Sequence, residues 1–182
     1  MKMNIYVALF RGINVGGKNI LPMNELVLLM EEAGCHGIKT YIQSGNAVFR
    51  AKPNERGKIK IEIGDRILKK YNFRPGIFVL EAEDFKKSIS KSPFIPEDDK
   101  NIHFYFLEST PPNPDIKNLN KIKKDSEEFY LLNDVLYLHA PEGIGRSKLA
   151  ARVEKAMGIP ATARNGRSVK KIMEILESLA RL

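Results

Sequence analysis

Residues 4–30 read NIYVALFRGINVGGKNILPMNELVLLM, and the fold turns on how this stretch divides. Asn4 to Phe10 is a continuous apolar run, the mark of a buried strand, and it ends in a polar, glycine-containing loop, RGINVGGKN. Pro22 suits the first turn of a helix, and Leu26, Leu29, Met30 and Ala33 then recur at helical spacing until Gly34 stops the pattern. Outward from there, Ile38 to Gln43 and Asn46 to Arg50 are two strand-like runs around Ser44-Gly45, a hairpin signal. Glu55 to Tyr71 carries two patterns: Ile59, Ile61 and Ile63 alternate like a strand, while Ile59, Ile63, Ile67 and Tyr71 recur once per helical turn. Its length and charge favour the helix. Ile77 to Leu80 supplies a fourth strand, and the resulting βαββαβ order is that of a ferredoxin-like unit.

A short helix from Glu83 to Ser90 leads into SPFIPEDDK, a proline- and acid-rich stretch that reads as a linker, dividing the chain into domains 1–92 and 93–182. The second half repeats the element order. His103 to Leu107 is a strand, STPPNPD breaks it, and Asp115 to Lys124 is helical. Glu128 to Leu132 and Val135 to His139 form a hairpin around Asn133-Asp134, and two helices follow, Ser147 to Met157 and Gly166 to Leu182. The fold class expected is α+β in two units. The first is ferredoxin-like, and the second is a related βαββα unit, its last strand worn or missing, with an extra C-terminal helix.

Composition narrows the function classes. The 182 residues are 43% hydrophobic and 29% charged, which argues against extended disorder, a collagen-like repeat and a membrane protein. The longest apolar runs, Ile5 to Phe10 and Leu26 to Met30, fall far short of the ~20 residues of a spanning helix. Arg11 interrupts the first of them before a signal peptide could be completed, so the expected location is the cytoplasm, with no membrane partner. Cys35 has no second thiol to pair with, and His36, His103 and His139 lack metal-ligand spacing, so no metal is indicated. The net charge is +8, and residues 146–182 hold nine of the 30 basic side chains but three of the 22 acidic ones. Most of the excess therefore lies near the C-terminus.

A ferredoxin-like topology runs the first two strands parallel, so their ends share one end of the sheet. The first loop, the hairpin and the approach to the fourth strand gather there. Arg11, Asn14, Gly16, Gly17 and Lys18, with Gln43, Ser44 and Asn46, could thus converge on one anionic ligand beside a helix N-terminus. The competing reading is structural: the glycines permit positive φ, and the asparagines and Ser44 tie their own turns. A second candidate group, Arg164, Asn165 and Arg167, precedes the last helix and reads equally well as a phosphate contact or as capping and ion pairing. RGINVGGKN lacks the GKS or GKT ending of a P-loop and the GxGxxG dinucleotide pattern, so no cofactor is indicated. Ser44 is not in a GxSxG elbow, and Asn46 to Lys52 lacks the strand motif of an RNA-recognition domain.

YVALFRGINVGGKNILPM, GIKTYIQSGNAVF, SPF, LYLHAPEGIGRSKL and TARNGRSVKKI together closely resemble a bacterial family called domain of unknown function 1697. The resemblance implies a two-part α+β protein with a ferredoxin-like first part, and implies no activity, substrate or cofactor. Its pattern covers Arg11, Gly12, Asn14, Gly16, Gly17, Gln43, Ser44, Gly45, Asn46, Arg164 and Asn165. The family commonly places a bulky aromatic after the Arg-Asn pair, where this chain has Gly166.

Three functions remain open on the sequence. The favoured one is binding of a phosphate-bearing ligand, a phosphorylated small molecule, nucleotide or nucleic acid, at the loop and hairpin. An enzyme acting on a phosphorylated or carboxylated small molecule is the second, although no base or nucleophile lies inside the motifs. The third is a structural or interaction scaffold.

Overall fold

The computed structural model describes residues 3–43, 45–94 and 99–181. They divide into two units, Met1–Lys87 with Lys171–Leu182, and Ser88–Lys170. The first holds β1 (Asn4–Arg11), α1 (Met23–Glu32), β2 (His36–Tyr41), β3 (Asn46–Ala51), α2 (Arg56–Tyr71), β4 (Gly76–Glu81) and the start of α3 (Ala82–Ser90). Its sheet has the order β2-β3-β1-β4, every neighbour antiparallel, as the ferredoxin-like reading requires.

Burial decides the ambiguous stretch. Ile59, Ile63 and Ile67 are buried in α2, whereas Ile61 is 57% exposed, so the once-per-turn pattern prevails over the alternating one. Tyr6, Phe10, Phe49 and Ile77 from the sheet meet Leu26 and Met30 of α1 and the three isoleucines of α2 in one core. Tyr6 and Phe49 stack at 5.7 Å, which makes Phe49 a core residue. The opposite face of the sheet is buried as well, at Val7, Leu9 and Val48. On that face Arg50 donates to the Leu179 carbonyl at 2.6 Å.

The second unit holds β5 (Ile102–Leu107), α4 (Ile116–Ile122), β6 (Glu128–Leu132), β7 (Val135–His139), α5 (Val153–Met157) and β8 (Ala161–Asn165), and its sheet order is β6-β7-β5-β8. The two-unit α+β fold stands, with one addition: the fourth strand of the second unit is present. β8 pairs antiparallel with β5 from His103↔Asn165 to Leu107↔Ala161. Ala-Thr-Ala-Arg-Asn is short and carries no large apolar residue, so only its pairing against the buried β5 makes it a strand. The expected helix from Ser147 to Met157 is shorter too. Two 3-10 turns, Ile144–Arg146 and Ala150–Arg152, precede the five residues of α5, and the Ser147 hydroxyl accepts from the Ala150 N–H at 2.9 Å.

The last helix, α6 (Gly166–Ala180), belongs to both units, where the sequence reading placed it wholly in the second. Its apolar stripe is buried at Val169, Ile172, Leu176 and Leu179. The linker SPFIPEDDK lies partly outside the described residues, Glu97 and Asp98 among those not described.

Candidate functional site

Strand register brings three connections to one end of the first sheet. β1 ends with Arg11 opposite Gly76 of β4, Leu9 lies opposite Asn46, and Asn46 lies opposite Tyr41. The β1–α1 loop, the β2–β3 hairpin and the lead-in to β4 therefore emerge together.

The loop is built as a small rigid frame. Gly16 and Gly17 both have positive φ, 57° and 73°, as the two central residues of a type I′ turn must, and Lys18 N–H closes that turn on the Val15 carbonyl at 3.0 Å. Asn14, itself at φ 54°, is the node: its Nδ2 donates to the Leu21 carbonyl at 2.9 Å and the Gln43 carbonyl at 2.8 Å, while its Oδ1 accepts from the Leu21 N–H at 2.8 Å. Asn19 Nδ2 donates to the Gly12 carbonyl at 2.8 Å, and Asn46 Nδ2 to the Tyr41 carbonyl at 3.0 Å. Of the two asparagines of the predicted site, Asn14 thus holds loop to hairpin and Asn46 ties the two strands of the hairpin to each other. Gly45 completes the joint, its carbonyl accepting from Phe10 N–H at 2.8 Å. Ser44 lies outside the described residues.

This frame leads to a specific expectation. Asn14→Ala removes three hydrogen bonds at once and puts alanine at positive φ, so stability should fall by about 1–3 kcal/mol. Urea unfolding reads that loss, and hydrogen exchange should speed up at the amides of Leu21 and Lys18 while β1 stays protected.

What the frame presents outward is different chemistry. Arg11, Lys18 and Gln43 are exposed, and a Cβ built on Gly12, Gly16 or Gly17 meets nothing within 4 Å. Pro22 at the start of α1 gives that helix no side-chain cap. Arg74, from the third connection, is committed elsewhere: it pairs with Asp65, and its guanidinium lies 3.1 Å from a Cβ built on Gly64 of α2. A cation that sequence reading did not place here is Lys171 of α6, whose pKa is raised chiefly by the Glu174 carboxylate and, to a smaller extent, by the Tyr41 side chain that ends β2. Lys171 is also paired with Glu174 at 2.7 Å. No local signal marks this proximity, because it depends on where α6 lies on the first unit.

Each side chain of the second candidate group has a partner within the fold. Arg164 is buried on β8, donates to Thr162 Oγ1 at 2.9 Å and the Ala163 carbonyl at 2.8 Å, and burial pulls its pKa down to about 10. Asn165 Oδ1 accepts from Ser168 N–H at 2.9 Å, capping α6. Arg167 pairs with Asp99 at 3.2 Å. Gly166 has its own reason: a Cβ there would lie 2.5 Å from the Asp99 carbonyl oxygen, so the backbone of Asp99 occupies the space that an aromatic would need.

Among the described residues no three His, Cys, Asp or Glu side chains are grouped to hold a metal ion. Burial pushes the Cys35 thiol up to about 12, which keeps it protonated and inert at neutral pH. Among the described residues no helix is long and apolar enough to cross a membrane.

The family model described as "Protein of unknown function (DUF1697)" matches residues 3–137. No curated protein matches the chain. Among solved structures, the conserved bacterial protein SP0830 from Streptococcus pneumoniae is similar with a TM-score of 0.72 and 24% sequence identity, over 96% of this chain and 99% of its own. At that identity the likeness carries the fold alone.

Proposed function

Because the chain belongs to this family of proteins of unknown function, its activity has to be argued from its own residues, and we propose that it binds a phosphate-bearing ligand at the β1–α1 loop and β2–β3 hairpin of the first unit. One observation carries the reading: two exposed cations, Arg11 and Lys18, flank a loop whose glycines open onto empty space while its asparagines fix it in place. A guanidinium binds phosphate through paired N–H groups and an ammonium as a point charge. Glycines let the backbone N–H groups approach an anion closely. In this reading Arg11, Lys18, Gln43, Gly16 and Gly17 contact the ligand, and Asn14 and Asn46 position the loops. Arg164, Asn165 and Arg167 stand outside it, since they belong to the second unit and Arg164 is buried there.

Ribose 5-phosphate and pyrophosphate serve as probes. Titration followed by amide chemical shifts should move Gly16, Gly17 and Lys18 first. Arg11→Ala with Lys18→Ala should weaken binding tenfold or more while leaving the melting temperature within a degree or two, because both side chains are exposed. The asparagine bonds favour one competing reading, in which the motifs serve loop packing alone. Its signature is no shift with either probe, and that result removes the ligand reading.

A further inference from the structure

The same end of the first sheet carries apolar surface that phosphate binding does not use. Val15 is 64% exposed, Ile20 63% and Ile42 49%. All three sit within one residue of the Asn14 node: Val15 follows Asn14, Ile20 precedes its partner Leu21, and Ile42 precedes its partner Gln43. Ile42 is in addition held at φ 50°, a conformation that costs a β-branched residue heavily, so its side chain is kept outward at the expense of both hydration and backbone energy. At that φ asparagine would be the less strained residue.

Resting on the phosphate reading above, we infer that the ligand is a nucleoside phosphate, its phosphate on Arg11 and Lys18 and the flat face of its base on Val15, Ile20 and Ile42. The charge and the apolar surface are both accounted for by one molecule with an anionic end and a planar apolar face. Aliphatic side chains take up base faces well, and the exposed carboxamide of Gln43, next to Ile42, offers the paired donor and acceptor that a base edge needs. A lipid surface fits less well. Polybasic membrane attachment draws on clusters of about four to eight cations, and the β1–α1 loop supplies Arg11 and Lys18.

The test compares adenosine 5′-monophosphate, ribose 5-phosphate and an eight-residue oligodeoxyadenylate on the full chain. Adenosine 5′-monophosphate should bind at least tenfold more tightly than ribose 5-phosphate. Val15→Ser with Ile20→Ser should erase that difference and leave ribose 5-phosphate binding unchanged. Ile42→Asn should raise the melting temperature, by relieving the backbone, and yet weaken the nucleotide at least threefold. A strand is the natural ligand form if the oligonucleotide binds tenfold tighter again and its affinity falls steeply with salt; otherwise the free nucleotide is. Equal affinity for adenosine 5′-monophosphate and ribose 5-phosphate overturns the base contact while leaving the phosphate site intact. Absence of binding by all three removes the phosphate reading itself, and binding to phosphatidylserine vesicles in their place assigns the patch to lipid and overturns the inference.

Discussion

Gly45→Ala should cost about 2–4 kcal/mol, the sum of a residue forced to positive φ and overpacking of a closed core. Gly45 has φ 79°, and a Cβ built on it lies 2.6 Å from Phe10 Cβ and 2.6 Å from Ile13 Cδ1. Neither neighbour can yield easily, because both are buried and the Gly45 carbonyl is itself held by Phe10 N–H at 2.8 Å. Gly16→Ala is the internal control. It shares the positive φ but faces open space, so about 1 kcal/mol is expected from the backbone alone. Urea midpoints of the two variants should therefore separate clearly; equal losses would mean that the hairpin is not clamped against β1 in the way described.

The second large effect is a loss of stability in acid. His103 on β5 is 6% exposed, and burial pulls its pKa down from 6.5 to about 4. Between those values the unfolded chain binds a proton that the folded chain does not, so stability is full above pH 6.5 and declines as pH falls toward 4. The shift corresponds to about 3 kcal/mol over that window. His103→Gln, which cannot titrate, should flatten this part of the profile whatever its effect at neutral pH. Urea unfolding at several pH values measures both slopes, and parallel profiles for the two proteins would place the acid sensitivity elsewhere.

The first unit was legible because each of its elements carries its own local signal. The strand β1 is a pure apolar run, α1 has its proline and glycine boundaries, and the isoleucines of α2 choose between two periods once length is considered. β8 was not legible, since Ala161 to Asn165 becomes a strand through β5, more than fifty residues away, and its own side chains are small or polar. The site divides in the same way. That the loop and hairpin share one end of the sheet follows from topology alone. How Asn14 is spent does not: its bond to the Gln43 carbonyl spans 29 residues, and only the folded chain reveals that its side chain is used on backbone groups of the loop and hairpin. The exposure of Val15 and Ile20 is hidden for the same reason, because an apolar residue in a polar loop reads equally well as an anchor.

The sharing of α6 between the two units has a consequence for synthesis. Residues 171–182 belong with residues 1–87, so the unit that leaves the ribosome first is finished only after the whole of Ser88–Lys170 has been made. At about 5–20 residues per second that interval lasts several seconds, long enough for the second unit's hairpins and helices to form while the first still lacks its closing segment. Residues 1–87 should accordingly reach full protease resistance only once residues 171–182 have been made.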